Sequence, residues 1–254
     1  MAVCKIISPH LVLEAASKIE DSTFTGAKPA SRLLTPHLWD VAESDGSSTQ
    51  YVTFDLGSAR AVEACAVLGH TIPAAPGVLR VAGDNDNASW GAPMTGWIDL
   101  TWDADGIIEF FAATHTWQYW RVEISASAAF EIGSIVLGEV WEAPHAGYDG
   151  LRRRTRHSRD GTQTFRSVGF GFSNLTQAQS AALYAIVERH LQGQAYGPNH
   201  YGAVPALVCL DSGGDIVAGG LQDWSVYGVF AGELGPDMGY HTREGYQLTL
   251  EECL

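Results

Sequence analysis

The side chains able to do acid–base, nucleophilic or metal chemistry are spread through the 254 residues without forming a recognisable catalytic group. There is no H-E-x-x-H pair, Walker loop, G-x-S-x-G elbow or ordered Cys/His set. The acids Asp103 and Asp105 are near neighbours in one loop, and Glu251 and Glu252 are adjacent in one strand. Glycoside hydrolysis needs two carboxylates facing each other across roughly 5–10 Å, which such neighbours do not provide. The nine histidines lack ligand spacing and read as surface and core residues. Asp84-Asn85-Asp86-Asn87 has the opening spacing of a calcium loop and makes Asp84 and Asp86 the metal candidate. Ser89 stands where an EF-hand needs glycine, and Thr95 where it needs the closing glutamate. A turn rich in Asp and Asn is the simpler reading. No catalytic residue and no cofactor is expected.

The four cysteines, Cys4, Cys65, Cys209 and Cys253, form no C-x-x-C pair and match neither a zinc site nor a disulfide scaffold. They read as buried free thiols made in a reducing cytoplasm. No charged start followed by a long apolar run opens the chain, so no signal peptide is expected. No apolar stretch approaches the ~20 residues of a membrane-spanning helix.

The formal charge of −14 argues against wholesale or sequence-specific nucleic-acid binding, because phosphate is repelled by a field of that sign. One stretch departs from it. Arg152, Arg153, Arg154, Arg156 and Arg159 lie between two acidic blocks. Five arginines in eight residues would suit phosphate, but acidic surfaces on neighbouring copies are the preferred partners. The planar guanidinium grips carboxylates two bonds at a time. Turn formers surround the run, so 143–161 reads as a linker or exposed arm.

The elements that must position any site are mostly strands. In Tyr51-Val-Thr-Phe-Asp-Leu, residues Val52, Phe54 and Leu56 would face a core and Tyr51, Thr53 and Asp55 would face outward. Residues 62–68 suit a strand buried on both faces. Shorter candidates are 78–82 and 107–111. In Gln118–Ile124, Trp120, Val122 and Ile124 share one face, and Tyr119, Arg121 and Glu123 the other. Residues 134–142 close the unit. About eight short strands with no long helix indicate an antiparallel sandwich or jelly roll over 1–142.

Five segments occur in an order that resembles the discoidin, or coagulation factor 5/8 type C, domain. They are Tyr51–Gly57, Val67–His70, Tyr119–Ile124, Phe130–Gly133 and Leu137–Trp141. The form of the last three is similar to modules in the tail proteins of tailed phages. The resemblance implies a galactose-binding-like jelly roll that binds glycans or lipid head groups through loops at one end. On this sequence the matching loops are Pro36–Trp39, His70–Ile72 and Ser89–Trp90. His37, Trp39, His70 and Trp90 are therefore the ligand-binding candidates. Trp39 and Trp90 would either stack on a sugar ring or fill the core or a subunit contact. Extracellular members of the family tie their ends with a disulfide, and no convincing pair stands near residues 1 and 142.

Residues 162–254 read as an α+β unit with one main helix. Val168, Phe170 and Phe172 share a strand face. Leu183, Ile186, Val187, His190 and Leu191 make one apolar helical stripe. Thr176 and Gln179 fit a capping box and Gly193 the stop, and His190 reads as a packed histidine. Strands are expected at 204–210, 214–219, 222–230 and 245–252, with a hairpin turn at Asp211–Gly214. Trp224, Val226 and Phe230 should share a face, as should Tyr246, Leu248 and Leu250. The order of elements resembles the tail-tube-like fold of phage tube, distal-tail and hub proteins, which implies a ring-forming subunit.

The sequence thus points to a mainly β protein that does no catalysis. The expected role is a virion structural protein of a phage tail tip or baseplate, a distal or minor tail protein. It would be made in the host cytoplasm and closed into a trimeric or hexameric homo-oligomer. Tube, hub and fibre proteins would be its neighbours and a host-surface glycan its possible ligand, with no membrane insertion. Two rivals are a stand-alone carbohydrate-binding protein and a polysaccharide-degrading enzyme.

Overall fold

The computed structural model describes residues 4–15, 18–47, 49–88, 90–143, 149–157, 164–191, 204–210, 225–231 and 244–252. The chain is mainly β, and the pairings whose register is described are antiparallel. It divides into two compact units. Residues 9–140 make the first; the described residues up to Ser8, with those from Trp141 onward, make the second. No described helix is long and apolar enough to cross a membrane.

The chain starts in the second unit. Strand β1 (Lys5–Ile7) pairs with a strand some 200 residues later, so the opening segment does not start the jelly roll as expected. Ile6 and Ile7 are fully buried there. A three-residue strand carries too little periodicity to reveal its partner, and adjacency in sequence pointed to the wrong unit.

The first unit then runs through α1 (Leu11–Ala15), β2 (Lys18–Asp21), a 3-10 turn (Ala30–Leu34), β3 (Ala42–Glu43), β4 (Gln50–Leu68), β5 (Val78–Asp84), β6 (Ile98–Asp99), β7 (Ile107–Ser125), β8 (Glu131–Ile132) and β9 (Ser134–Gly138). The main sheet has the order β2-β4-β7-β5-β6, β9 adds to β4, and β3 pairs with β8. Strands β4 and β7 are each 19 residues long and pair twice. Gln50–Asp55 meets Tyr119–Ile124, and Arg60–Val67 meets Ile107–Trp117, with a break in register between Asp55 and Arg60. At that break residues 57–60 are exposed and the pair turns back on itself. One strand pair thereby serves both layers of the sandwich. Val52, Phe54, Leu56, Trp120 and Val122 from one side join Cys65, Val67, Ile107, Ile135 and Leu137 from the other in a single core. Val52, Phe54 and Leu56 point inward as the alternation requires.

This turn-back also fixes the two ends. The start of β4, the end of β7 and the start of β5 lie at the same end as the loops 69–77, 100–106 and 126–133. The opposite end holds the bend and the start of the 85–97 segment, where Asp84 pairs with Tyr119.

The second unit holds a seven-stranded sheet ordered β10-β1-β13-β14-β15-β12-β11. Its remaining strands are β10 (Val140–Glu142), β11 (Asp149–His157), β12 (Thr164–Leu175), β13 (Ala206–Cys209), β14 (Ser225–Ala231) and β15 (Glu244–Glu252). The helix α2 (Gln177–Leu191) packs on this sheet through Leu183, Val187 and His190. Its start is a reciprocal capping box. Gln179 N donates to Thr176 Oγ1 at 3.3 Å, and Thr176 N donates to Gln179 Oε1 at 2.9 Å. Val168, Phe170 and Phe172, with Val226, Phe230, Leu248 and Leu250, fill the core as the alternation predicts. The expected strand at 214–219, the turn at Asp211–Gly214, Trp224 and Gly193 lie outside the described residues.

The basic run is the second correction. Instead of a linker, 149–157 is strand β11, paired with β12 from Asp149↔Gly171 to His157↔Thr164. Charged residues are tolerated on the edge of a sheet, where they discourage indiscriminate pairing. The charge run and nearby glycines therefore looked like a linker. Arg152, Arg153, Arg154 and Arg156 lie on this strand, and Arg159 lies outside the described residues.

Candidate functional site

The loop end of the jelly roll carries the most exposed large aromatic of the described residues. Trp39 is 68% exposed and stacks on His37, with ring centroids 5.3 Å apart and planes within 20°. The two rings are held by a tight turn in which Asp40 N donates to His37 O at 3.2 Å. Arg32, on the 3-10 turn, clamps the loop from behind. Its guanidinium pairs with Asp40 at 3.3 Å and donates to Ala27 O at 2.9 Å.

Two glycines let this turn sit close to the sandwich. Gly69 has φ +60°, a backbone conformation that side chains disfavour. A Cβ at Gly133 would lie 2.4 Å from Leu38 O and 3.0 Å from Leu38 Cα, so only glycine admits the turn there. Further bonds lace the end together. Lys28 bridges Glu43 (3.3 Å) and Glu131. Thr71 N donates to Glu131 O, and Glu131 N donates to Thr71 Oγ1. The outcome is an aromatic face on a fixed support, the arrangement that binds a flat apolar surface with little ordering cost.

His70 lies at the same end but has another task. Ile72 N donates to its Nδ1 at 3.2 Å, which makes Nε2 the protonated nitrogen, and Nε2–H donates to Asp103 O at 3.0 Å. Burial lowers its pKa, opposed by the Asp103 contacts. Nδ1 thus closes a local turn and Nε2 ties the 69–77 loop to the 100–106 loop, so His70 braces this end.

Trp90 does not join the loop end. It is 9% exposed, and its Nε1–H donates to Asn87 O and Asn87 Oδ1, both at 3.1 Å. The Arg121 guanidinium covers its ring at 4.4 Å and also covers Tyr51 at 3.9 Å. Arg121 Nε donates to Thr53 Oγ1 at 2.8 Å, which explains why the outward-facing Thr53 is buried. Beside this sandwich Arg80 lies over Trp97 at 4.1 Å and grips Glu123 through Nε (3.2 Å) and Nη2 (3.0 Å). Trp90 and Trp97 thus fasten the 85–97 segment onto the outer sheet face by cation–π contacts. Neither arginine was a candidate from sequence. The cross-strand register is what reveals them.

Asp84 and Asp86 are consumed by the same segment. Asp84 accepts from Asp86 N and Met94 N, each at 3.0 Å, and Asp86 accepts from Ala88 N at 2.9 Å. The contacts to Asp86 N and Ala88 N close local turns, and the one to Met94 N ties the two ends of the segment together. Among the described residues no group of three or more His, Cys, Asp or Glu could hold a metal ion.

In the second unit His190 is fully buried. Its Nδ1–H donates to Val204 O at 2.7 Å, and the Ser8 hydroxyl donates to Nε2 at 2.8 Å. Ser8 is buried too, so the pair has the atoms of a nucleophile and base but no access for a substrate. Burial pulls the His190 pKa down to about 4. Cys4, Cys65 and Cys209 are buried free thiols, with burial pushing Cys209 up to about 12. Thiols held neutral in this way are inert.

No protein-family model matches the chain, and no curated protein matches it. Solved structures do. Chitosan-binding module 1 of a chitosanase/glucanase from Paenibacillus sp. IK-5 is 18% identical, with a TM-score of 0.42, covering 52% of this chain and 100% of that one. A fucose-binding module of Streptococcus pneumoniae is 9% identical, with a TM-score of 0.40, covering 50% of this chain and 96% of that one. The lectin domain of lectinolysin, in complex with Lewis B antigen, is 13% identical, with a TM-score of 0.41, covering 52% and 96%. Each is a binding module matched nearly whole by about half of this chain.

Proposed function

We propose that the first unit is a non-catalytic glycan-binding module whose ligand stacks on Trp39. The observation that carries this reading is the exposed Trp39–His37 stack on a turn clamped by Arg32 and seated on Gly133. An indole face matches the apolar face of a pyranose ring, and the charged and hydroxylated side chains around it offer hydrogen bonds to the ring's edges. Covering about 80 Å² of apolar ring is worth roughly 2 kcal/mol. One platform alone thus gives weak binding, and repetition of the chain in an assembly would raise it by avidity. The test is a glycan array with the intact chain and with Trp39→Ala. Binding lost in the variant supports the reading, and equal binding by both, or by neither, counts against it.

The second unit supplies a reason to propose assembly. Its seven-stranded sheet ends, among the described residues, in the nine-residue strand β11, which carries four arginines in an acidic chain. An open edge of that length is stable against aggregation only when covered or charged. An acidic edge of a neighbour would complement it, and head-to-tail pairing of that kind closes into a ring. On this reading the chain is a distal or minor tail protein in a phage tail tip, with tube, hub and fibre proteins around it. Native mass spectrometry separates this from the stand-alone carbohydrate-binding protein. A trimer or hexamer that dissociates when Arg152, Arg154 and Arg156 are changed to Glu favours the ring, and a monomer at high concentration removes it.

A further inference from the structure

A concavity also lies at the loop end of the jelly roll. It has a volume of about 480 Å³ and is lined by Pro76, Gly77, Leu79, Arg80, Asp99 and Trp102, among others. We propose that this cleft is a second carbohydrate subsite, for a neutral, polyhydroxylated ring. It extends the glycan reading of this unit and rests on it for the ligand class alone.

The walls of the cleft are fixed. Gly77 N donates to Ser125 O at 2.7 Å, and Leu100 N donates to Leu79 O at 2.9 Å. Trp102 is held by its Nε1–H, which donates to Ile72 O at 3.0 Å, and it packs against the core. Register places Arg80 directly opposite both Asp99 and Glu123, so the three side chains form a row on the outer face of the sheet. Glu123 takes Nε and Nη2 of Arg80, and no described residue takes Nη1. Asp99 is exposed, and its carboxylate has no hydrogen bond or ion pair among the described residues. The cleft therefore offers a two-oxygen acceptor, the two N–H groups of Arg80 Nη1 and an aromatic wall.

That set selects its ligand by exclusion. A metal ion would want several carboxylates, and Asp99 is the single acidic lining residue. An anion would meet Arg80 already neutralised by Glu123, with Asp99 repelling it. A purely apolar ligand would strand the Asp99 carboxylate. Vicinal hydroxyls can donate to both oxygens of one carboxylate while accepting from a guanidinium, and a ring can lie along Trp102.

The cleft connects to the Trp39 turn through 69–72. Leu38 rests on Gly69, His70 reaches Asp103, and Ile72 holds Trp102. Two subsites on one braced loop end would let the module take an extended glycan.

The experiment is a ¹⁵N-NMR titration of the intact chain with D-galactose, D-glucose and maltohexaose, following the Trp39 and Trp102 indole N–H and the Gly77 amide. The proposal expects saturable shifts at Trp102 and Gly77 with at least one probe. Asp99→Ala should weaken that binding roughly tenfold or more, the loss of one hydrogen bond to a charged group. Trp39 shifts should be unchanged in Asp99→Ala, which removes an exposed side chain and leaves the fold intact. Trp102→Phe, keeping the packing, should weaken the response that remains at the Gly77 amide. Static Trp102 and Gly77 signals with all three probes overturn the proposal, as do shifts that Asp99→Ala does not alter. Response to calcium or phosphate instead of sugar also overturns it. Signals moving at Trp39 alone would leave the first reading standing and remove this one; signals moving at the cleft alone would do the reverse.

Discussion

Lowering the pH from 7.5 to 4 should destabilise the second unit through His190 by about 3 kcal/mol. The ring is fully buried, and burial, with a smaller push from Arg189, lowers its pKa from 6.5 to about 4. In the unfolded chain the imidazole titrates at its ordinary value near 6.5. Between these two values the unfolded state holds a proton that the folded state does not. Stability therefore rises with pH across that window, is complete above about 6.5 and is lost progressively toward 4. A gap of about 2.5 pK units corresponds to about 3 kcal/mol, of which about 2 kcal/mol is gone by pH 5. The Ser8 hydroxyl can rotate to accept a bond from a protonated Nε2, so the cost comes from burying the charge and not from an unmade bond. The assay is urea denaturation of the intact chain at several pH values, beside His190→Asn, which keeps a donor for Val204 O and cannot titrate. The difference between the two curves should shrink by about 3 kcal/mol over the window. Parallel pH profiles, or an NMR titration of folded His190 with a midpoint near 6.5, would refute the reasoning.

Gly133→Ala should displace the Trp39 turn, because the new methyl meets Leu38 backbone and not a flexible side-chain end. Overpacking of this kind costs about 1–3 kcal/mol; thermal unfolding should show the loss, and glycan affinity should fall although Trp39 is untouched. Arg121→Met keeps the stem but removes the charge between Tyr51 and Trp90, and should cost about 1–2 kcal/mol in thermal stability while exposing Trp90 to acrylamide quenching. Thr176→Ala opens the capping box of α2 and should cost about 1 kcal/mol in urea denaturation, with Thr176→Ser restoring most of it.

Where side-chain alternation governs, the sequence was readable. Val52, Phe54, Trp120, Val122, Phe170 and Leu250 all face cores as their period-2 pattern requires. The capping box and buried stripe of α2 were equally legible, being local. Long-range partnership was not. Nothing in Lys5-Ile6-Ile7 says that it pairs with Ala206–Cys209, and nothing in the arginine run distinguishes an edge strand from an arm. The candidate site was half legible for the same reason. Trp39 and Trp90 look alike as loop tryptophans, but only Trp90 has an arginine over its ring, and that arginine comes from a strand 31 residues later. His70 was placed among the ligand candidates by its loop alone; its partners, Ile72 N and Asp103 O, are backbone atoms and leave no mark on the sequence. Asp99 and Trp102 become neighbours of Arg80 only through the register of β5 and β6.

Calorimetric titration of the array-selected glycan into the intact chain and into Trp39→Ala tests the proposed binding face most directly. The exposed indole should contribute about 2 kcal/mol, so the variant should bind about 30-fold more weakly with its thermal unfolding unchanged. Equal affinities for the two proteins would contradict the assignment of Trp39 as the sugar platform.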